Sequence, residues 1–142
     1  MQAYRVLRPG GTIAISFWGQ GPLDLRPVFR VFAAAAPPAH RAGMRRTNAI
    51  GQDGAAEEML EAAGFSDLHR DGRLATIEWP DEDTAWRALA SAGPAAPALD
   101  AIGTERLRVE VLDALRDHRG RDGVFRLRND HQFVIGRKPS EP

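Results

Sequence analysis

The chain of 142 residues contains no cysteine. That absence excludes a disulfide framework, thiolate chemistry and cysteine-ligated zinc. Long apolar runs are missing as well: no stretch of about 18 apolar residues occurs, so no transmembrane helix is expected. The first residues, Met1-Gln2-Ala3-Tyr4-Arg5, lack the apolar segment of a secretory signal peptide. We therefore expect a cytoplasmic protein that does not contact membranes.

Neither sign of charge is in excess, because 19 basic residues balance 19 acidic ones. This balance argues against a disordered chain and against a protein that binds nucleic acid. Along the chain, however, the charge is divided: residues 1–50 carry a net charge of +6 and residues 51–142 a net charge of −6. Segments of opposite sign attract each other within a fold or between two copies of a chain. The abundance of Arg, Ala, Gly and Pro is typical of a bacterial genome rich in G and C.

The apolar pattern predicts one α/β domain over residues 1–138 and a disordered tail at 139–142. The run Thr12–Trp18 is β-branched and aromatic, which predicts an interior strand covered by helices on both faces. Gly19-Gln20-Gly21-Pro22 is expected to end this strand. Residues 65–79 also read as extended chain.

Helices are expected where apolar residues recur at helical spacing or a capping residue precedes them. The predicted helices cover residues 1–8, 25–36, 53–63, 80–92 and 104–119. Asp53 and Thr104 are expected to cap two of them. Residues 39–52 are predicted to form a loop. Residues 123–137 are predicted to form a β-hairpin with its turn at 128–130.

Gly19-Gln20-Gly21 follows the predicted strand and precedes a predicted helix, which is where a dinucleotide-binding loop would lie. The third glycine of that motif is replaced by Asp24, whose negative charge would repel a pyrophosphate. No acid follows about 20 residues later to bind a ribose. A plain connection between strand and helix is therefore the favoured interpretation.

The four histidines show neither HxxxH nor HExxH spacing, so no metal site is expected. His40 and His131 are candidates for a general base, because histidine titrates near neutrality. A surface histidine without a chemical role is the more common alternative for each. The Gly-x-Ser-x-Gly pattern of a serine hydrolase is absent.

Arg41, Arg45 and Arg46 form a basic segment within the predicted loop. Guanidinium groups bind carboxylates and phosphates, so this segment could meet an anionic substrate or an acidic partner. A solvated loop is the alternative and the favoured one.

A substrate pocket is expected near the end of the predicted strand. Trp18 lies at the carboxyl end of that strand, where open α/β sheets bind ligands. Phe29, Phe32 and Trp86 lie on helices that could line the same pocket, with a place in the hydrophobic core as the alternative. His40 completes this set of candidate pocket residues. No catalytic residue can be named.

Four segments carry the most specific pattern in the chain. Residues 4–16 read YRVLRPGGTIAIS, residues 55–65 AAEEMLEAAGF, residues 78–86 EWPDEDTAW and residues 132–138 QFVIGRK. The first resembles the helix, turn and fifth strand of class I S-adenosylmethionine-dependent methyltransferases. The others are similar, in order, to that family's "LLxxAGF" helix before strand six, the "fpspeeaW" connection of its small-molecule (type 11-like) subgroup, and its last, antiparallel strand.

The resemblance implies an α/β fold with a partial Rossmann-like sheet, made of mixed equivalents of strands five to seven and flanked by helices. It implies S-adenosylmethionine as the cofactor of the complete enzyme and a small molecule as its substrate. The family's cofactor-binding segments have no counterpart in this chain: the glycine-rich loop after the first strand, the acid after the second, and the adenine-binding segment before the fourth. We therefore expect no cofactor-binding residue here and no cofactor bound by the isolated chain.

In the resembled family the strand order is 3-2-1-4-5-7-6, so strand five pairs with strand four. Without strand four, its outer edge would be an unpaired apolar ladder. We expect a second copy of the chain, a separate N-terminal half, or a rearranged element of this chain to cover that edge. The chain is then interpreted as the truncated, substrate-binding half of a methyltransferase, inactive alone. The alternatives are a non-catalytic oligomerising or small-molecule-binding module and a shortened reading frame whose start lies upstream.

Overall fold

The computed structural model describes residues 2–140. The elements within this range are, in chain order, α1 (Gln2–Val6), β1 (Thr12–Leu23), α2 (Arg26–Ala35), α3 (Pro38–Ala49), α4 (Ala55–Ala62), β2 (Ser66–Trp79), α5 (Glu82–Ala90), a 3₁₀ turn (Gly93–Ala95), α6 (Ala96–Ile102), α7 (Thr104–Ala114), a second 3₁₀ turn (Arg116–His118) and β3 (Phe125–Arg137). The α/β class and the flanking helices are as predicted. Residues 141 and 142 of the predicted tail lie outside the described residues.

The three strands form one sheet in the order β1-β3-β2. β3 pairs antiparallel with both neighbours, so β1 and β2 run parallel to each other on either side of it. The prediction of a mixed sheet is wrong for the described part of the chain. Both strand pairs within residues 2–140 are antiparallel. A parallel pair would require a further strand beside β1.

The end of the chain forms one continuous strand, β3, and the predicted hairpin is wrong. Residues 128–130, expected to turn, pair instead with residues 74–76 of β2. Their polar side chains serve the start of α2: the Asn129 side-chain oxygen accepts a hydrogen bond from the Leu25 N–H at 3.1 Å. The Asp24 carboxylate in turn accepts one from the Arg128 N–H at 2.7 Å. Pairing with β2, which is distant in the sequence, therefore keeps residues 128–130 extended although their types are typical of a turn.

β1 is longer than predicted, because Gly19-Gln20-Gly21-Pro22 does not end it. The pairing with β3 becomes irregular between Trp18 and Leu23. There the Asp130 carboxylate lies over the β1 backbone and accepts a hydrogen bond from the Gly21 N–H at 2.9 Å. Glycine allows this close approach, since a Cβ at position 19 would overlap the same carboxylate.

The predicted loop at 39–52 is also wrong, because residues 38–49 form α3. Pro38 occupies the first helical position, where a missing N–H costs nothing and the fixed φ favours the helix. The proline pair that ends α2 therefore also begins the next helix.

Three smaller differences concern the ends and the number of the helices. The residues preceding α4 and α7 are Gly54 and Gly103, at φ of 80° and 79°, so Asp53 and Thr104 are not the caps. α7 ends at Ala114, and a 3₁₀ turn takes the place of the last predicted helical turn. The segment 93–102, which carried no prediction of structure, forms a 3₁₀ turn and α6.

Two hydrophobic clusters lie on opposite faces of the sheet. The larger one packs α2, α5, α6 and α7 against β3 around Phe125 and Leu127. The smaller one packs α1 and α4 through Leu60, Phe65 and Val134. Residues 127 and 134 of β3 differ by an odd number and so point to opposite faces.

β1 is covered less completely than predicted. Residues 13 and 15 are half-buried and Phe17 is buried in the smaller cluster, whereas residues 12, 14 and 16 are exposed. Within residues 2–140 no strand pairs with its outer edge. The option that a rearranged strand of this chain covers that edge is therefore not realised in the described part. None of the helices there is long and apolar enough to cross a membrane.

Candidate ligand-binding site

A cavity of about 630 Å³ lies beside the carboxyl end of β1. Helices α2 and α3 form two of its walls, and the end of α5 with the following 3₁₀ turn and the start of α6 forms the third. This size falls in the ordinary range for small-molecule sites. The lining residues are Trp18, Leu25, Phe29, Ala39, His40, Gly43, Met44, Thr47, Asn48, Leu89, Ala92, Gly93, Pro94 and Pro97.

The face of α3 towards the cavity is set by helical spacing. Positions 40, 43, 44 and 47 recur at intervals of three and four residues, which places them on one side of the helix. The Thr47 hydroxyl donates a hydrogen bond to the Gly43 carbonyl at 3.2 Å, so its oxygen remains available as an acceptor. Asn48 adds an amide with both donors and an acceptor. This wall therefore combines apolar surface with a few neutral polar groups.

The arginines of α3 do not line this cavity. The Arg41 guanidinium donates to the carbonyls of Ala36 and Ala34, at 2.8 and 3.0 Å, and so satisfies groups left free at the end of α2. Arg46 borders a separate, shallow groove next to Met59. The basic segment is thus part of a helix, and Arg41 stabilises the end of α2.

A second cavity of about 470 Å³ adjoins the first, and the two share Trp18, Phe29, Thr47 and Asn48. This smaller cavity extends along β1 and is more polar. Ser16, Gln20 and Arg26 contribute to its lining, together with Ile15, Phe17, Gly19, Leu23 and Ile50. The site is therefore bipartite, with the polar side chains of α3 at the junction.

The structure separates the five pocket residues predicted from the sequence. Trp18, Phe29 and His40 come together at the larger cavity. Phe32 is fully buried in the larger hydrophobic cluster, and Trp86 is 7% exposed in the same cluster. Neither of these two side chains lines either of the two adjoining cavities.

Sequence reasoning missed the cavity residues on α3 and around Pro94. The reason is that a loop at 39–52 does not define which way the side chains of Met44, Thr47 and Asn48 point. The signal available in the sequence is the spacing of three and four residues from His40 to Thr47.

Trp18 is held in place from two sides. Its ring meets the His131 ring edge-on, with centroids 5.5 Å apart. Its backbone carbonyl lies against Gly51, just after α3, where no Cβ would fit. His131 is therefore a neighbour of the cavity wall rather than one of its lining residues.

The connection after α3 is fixed by an ionic contact with β2. Arg70 donates two hydrogen bonds to the Glu57 carboxylate, at 2.6 and 2.7 Å, and a third to Gln132 at 2.8 Å. It also reaches the Gln52 carbonyl at 3.4 Å. The bonds from Arg70 hold the pKa of Glu57 below its ordinary value, and Glu57 raises the pKa of Arg70.

The glycines at positions 19 and 21 do not form a binding loop for S-adenosylmethionine. Gly19-Gln20-Gly21 is part of β1 and not a loop before a helix, and the Gly21 N–H is already bound to the Asp130 carboxylate. A glycine-rich cradle for the cofactor is therefore not formed by this segment. Among residues 2–140, no three His, Asp or Glu side chains are grouped as a metal site.

Comparison with known proteins finds matches among solved structures. No family model matches the sequence, and no curated protein matches it significantly. One solved structure that matches is a proposed methyltransferase from Bacillus halodurans C-125, with 19% sequence identity and a TM-score of 0.41. The match covers 98% of this chain and 56% of that one, so the chain spans about half the length of this protein.

Proposed function

We propose that the chain is the substrate-binding part of a class I S-adenosylmethionine-dependent methyltransferase acting on a small molecule. The observation that carries this proposal is the strand order. The segment that resembles strand five falls on β1, the one that resembles the last strand falls on β3, and the segments at 55–65 and 78–86 flank β2. The sheet has the order β1-β3-β2 with β3 antiparallel. This is the order 5-7-6 of the resembled family.

The position of the cavities supports the same proposal. Both lie beside the carboxyl-terminal half of β1, towards the end at which ligands bind in open α/β sheets. In this role the chain binds and orients the acceptor molecule, while a different segment or chain holds the methyl donor. Holding two reactants in the right geometry is by itself a large part of the catalysis of a transfer reaction.

Three measurements test this proposal. Calorimetric titration of S-adenosylmethionine into the isolated chain should give no binding. The DNA upstream of the Met1 codon should encode, in frame or as a neighbouring gene, a strand followed by a glycine-rich loop. The product that joins that segment to this chain should bind the cofactor and transfer its methyl group to a small-molecule acceptor. Binding by the isolated chain, or no binding by the joined product, would contradict the proposal.

A second candidate function is an oligomerising or small-molecule-binding module without catalysis. The unpaired outer edge of β1 favours it, because such an edge readily adds a strand from another chain. Size-exclusion chromatography with light scattering tests this candidate. A monomer at micromolar concentration whose β1 amides resist hydrogen exchange would show that the edge needs no partner.

A further inference from the structure

The lining of the larger cavity carries no permanent charge. Within the part of the chain that the structure describes, its lining contains no Asp, Glu, Lys or Arg, and His40 is its one ionisable side chain. A charged ligand group enclosed there would lose its hydration without gaining an ion pair, which is costly. Arg26 lies in the smaller cavity only.

The lining is also rich in rigid, apolar surface. Trp18 and Phe29 offer aromatic rings, Pro94 and Pro97 offer inflexible rings, and Met44 adapts its shape to a ligand. Side chains of this kind bind a ring system with little loss of conformational entropy.

We propose that the larger cavity binds an uncharged molecule with an apolar ring system, oriented by one hydrogen-bonding group at Thr47 and Asn48. These two side chains are the polar groups that both cavities share, so they mark the junction at which a ligand's polar end lies. As a statement about the substrate, the proposal rests on the proposed function. As a statement about binding, it concerns this chain alone.

The test uses the full chain without cofactor and three probes with the same ring system: 2-naphthol, 2-naphthoate and (2-naphthyl)methylammonium. Methionine methyl groups labelled with ¹³C report binding by NMR, and the Met44 signal is assigned through the variant Met44→Leu. Met44 lines the cavity, whereas Met59 borders a separate groove and serves as the internal control. 2-Naphthol should shift the Met44 signal saturably and leave Met59 unchanged.

Position 43 provides a matched pair of variants. Gly43 lies on the cavity face of α3, and a Cβ there would meet no atom within 4 Å. Gly43→Leu should therefore narrow the cavity and weaken 2-naphthol binding without disturbing the core. Gly43→Ala adds a smaller group and should weaken binding less, and both variants should fold, because Ala and Leu favour a helix more than Gly. Arg45→Ala, outside the cavity lining on the same helix, should also leave binding unchanged.

The two charged probes test whether the cavity prefers an uncharged ligand. Each should bind at least roughly tenfold more weakly than 2-naphthol, since no counter-charge lies in the lining. Equal or tighter binding of a charged probe, an unshifted Met44 signal with 2-naphthol, or undiminished binding in Gly43→Leu would overturn the proposal. These readouts need no methyl donor. A joined product that fails to transfer methyl would therefore refute the proposed function and leave the binding result standing.

Discussion

The backbone carbonyl oxygen of Trp18 occupies the space that a Cβ atom at Gly51 would need. This contact joins the carboxyl end of β1 to the segment that follows α3. Because Trp18 and α3 form two walls of both cavities, the contact fixes the distance between those walls. Packing thus requires a glycine at position 51. The close contact that this glycine allows helps to determine the shape of the candidate site.

Gly51→Ala should destabilise the protein by about 1–3 kcal/mol, the usual cost of forcing atoms into a packed site. The blocking atom belongs to the backbone, so no rotation of a side chain can relieve the overlap. Urea unfolding measures the change. Gly43→Ala is the matched control, since it places the same methyl group in open space and should stabilise α3 by up to about 1 kcal/mol. Equal stability of the two variants would contradict the packing argument.

Gly19→Ala should be costly for a different reason, because the obstacles are the Asp130 and Gln132 side chains. Asp130 would have to swing away and give up the hydrogen bonds donated by the Gly21 N–H and the Gln132 amide, at 2.9 and 3.0 Å. The loss should be about 1 kcal/mol.

A double-mutant cycle checks this explanation. Asp130→Ala removes the same hydrogen bonds, so Gly19→Ala should cost less once Asp130 is absent, with the Gln132 amide as the remaining obstacle. The coupling between the two substitutions should then be on the order of 0.5–1 kcal/mol. Strict additivity would show that Asp130 is not what limits position 19.

Local sequence pattern was sufficient to predict β2 and α5. Residues 65–79 were predicted as extended and form β2 from residue 66. The helix at 80–92 was predicted from the acids at its start, and α5 runs from Glu82 to Ala90. In both cases the periodicity and the stop signals agree with the tertiary structure.

Two failures depend on contacts that the local pattern does not show. Residues 128–130 look like a turn, but β2 supplies the hydrogen bonds that keep them extended. α3 contains Gly43 and three arginines, and part of its support comes from Arg41 bound to the end of α2. Since the cavity depends on α3, the candidate site was predictable only for Trp18, Phe29 and His40.

The Arg70–Glu57 pair should make stability depend on acid pH. The pKa of Glu57 lies below its ordinary value of 4.5, chiefly because Arg70 donates hydrogen bonds to it. A carboxyl whose folded pKa is lowered stabilises the fold fully above its unfolded pKa and loses that effect as pH falls through the folded value. The contribution is thus present near neutral pH and lost below 4.5.

Glu57→Gln should cost about 1 kcal/mol near neutral pH, because the side chain is only 25% exposed and its two bonds are charge-assisted. The cost should shrink in acid as the wild-type carboxyl is protonated. The neighbouring, exposed Glu58 offers a control of identical charge change, and Glu58→Gln should leave stability nearly unaltered. A deficit in Glu57→Gln that is the same at both pH values would rule out the ionic explanation.

The cap of α5 gives a second, independent pH dependence. The Asp81 carboxylate accepts a hydrogen bond from the Thr84 N–H at 2.7 Å, and this bond lowers the pKa of Asp81 below its ordinary value of 3.8. Asp81→Ala removes the acceptor and should lower Tm near neutral pH. Asp81→Asn keeps an acceptor of similar capping strength and should remain close to the wild type.

Acid distinguishes these two variants from the wild type. The stabilisation by the Asp81 charge is complete above 3.8 and declines as the pH falls through the lower folded pKa, so the wild type should lose part of its advantage over Asp81→Ala there. Asp81→Asn has no carboxyl to protonate, so its advantage over Asp81→Ala should persist in acid. Thermal unfolding of the three proteins across this range measures both trends. An acid-insensitive gap between wild type and Asp81→Ala would mean that residue 81 acts without its charge.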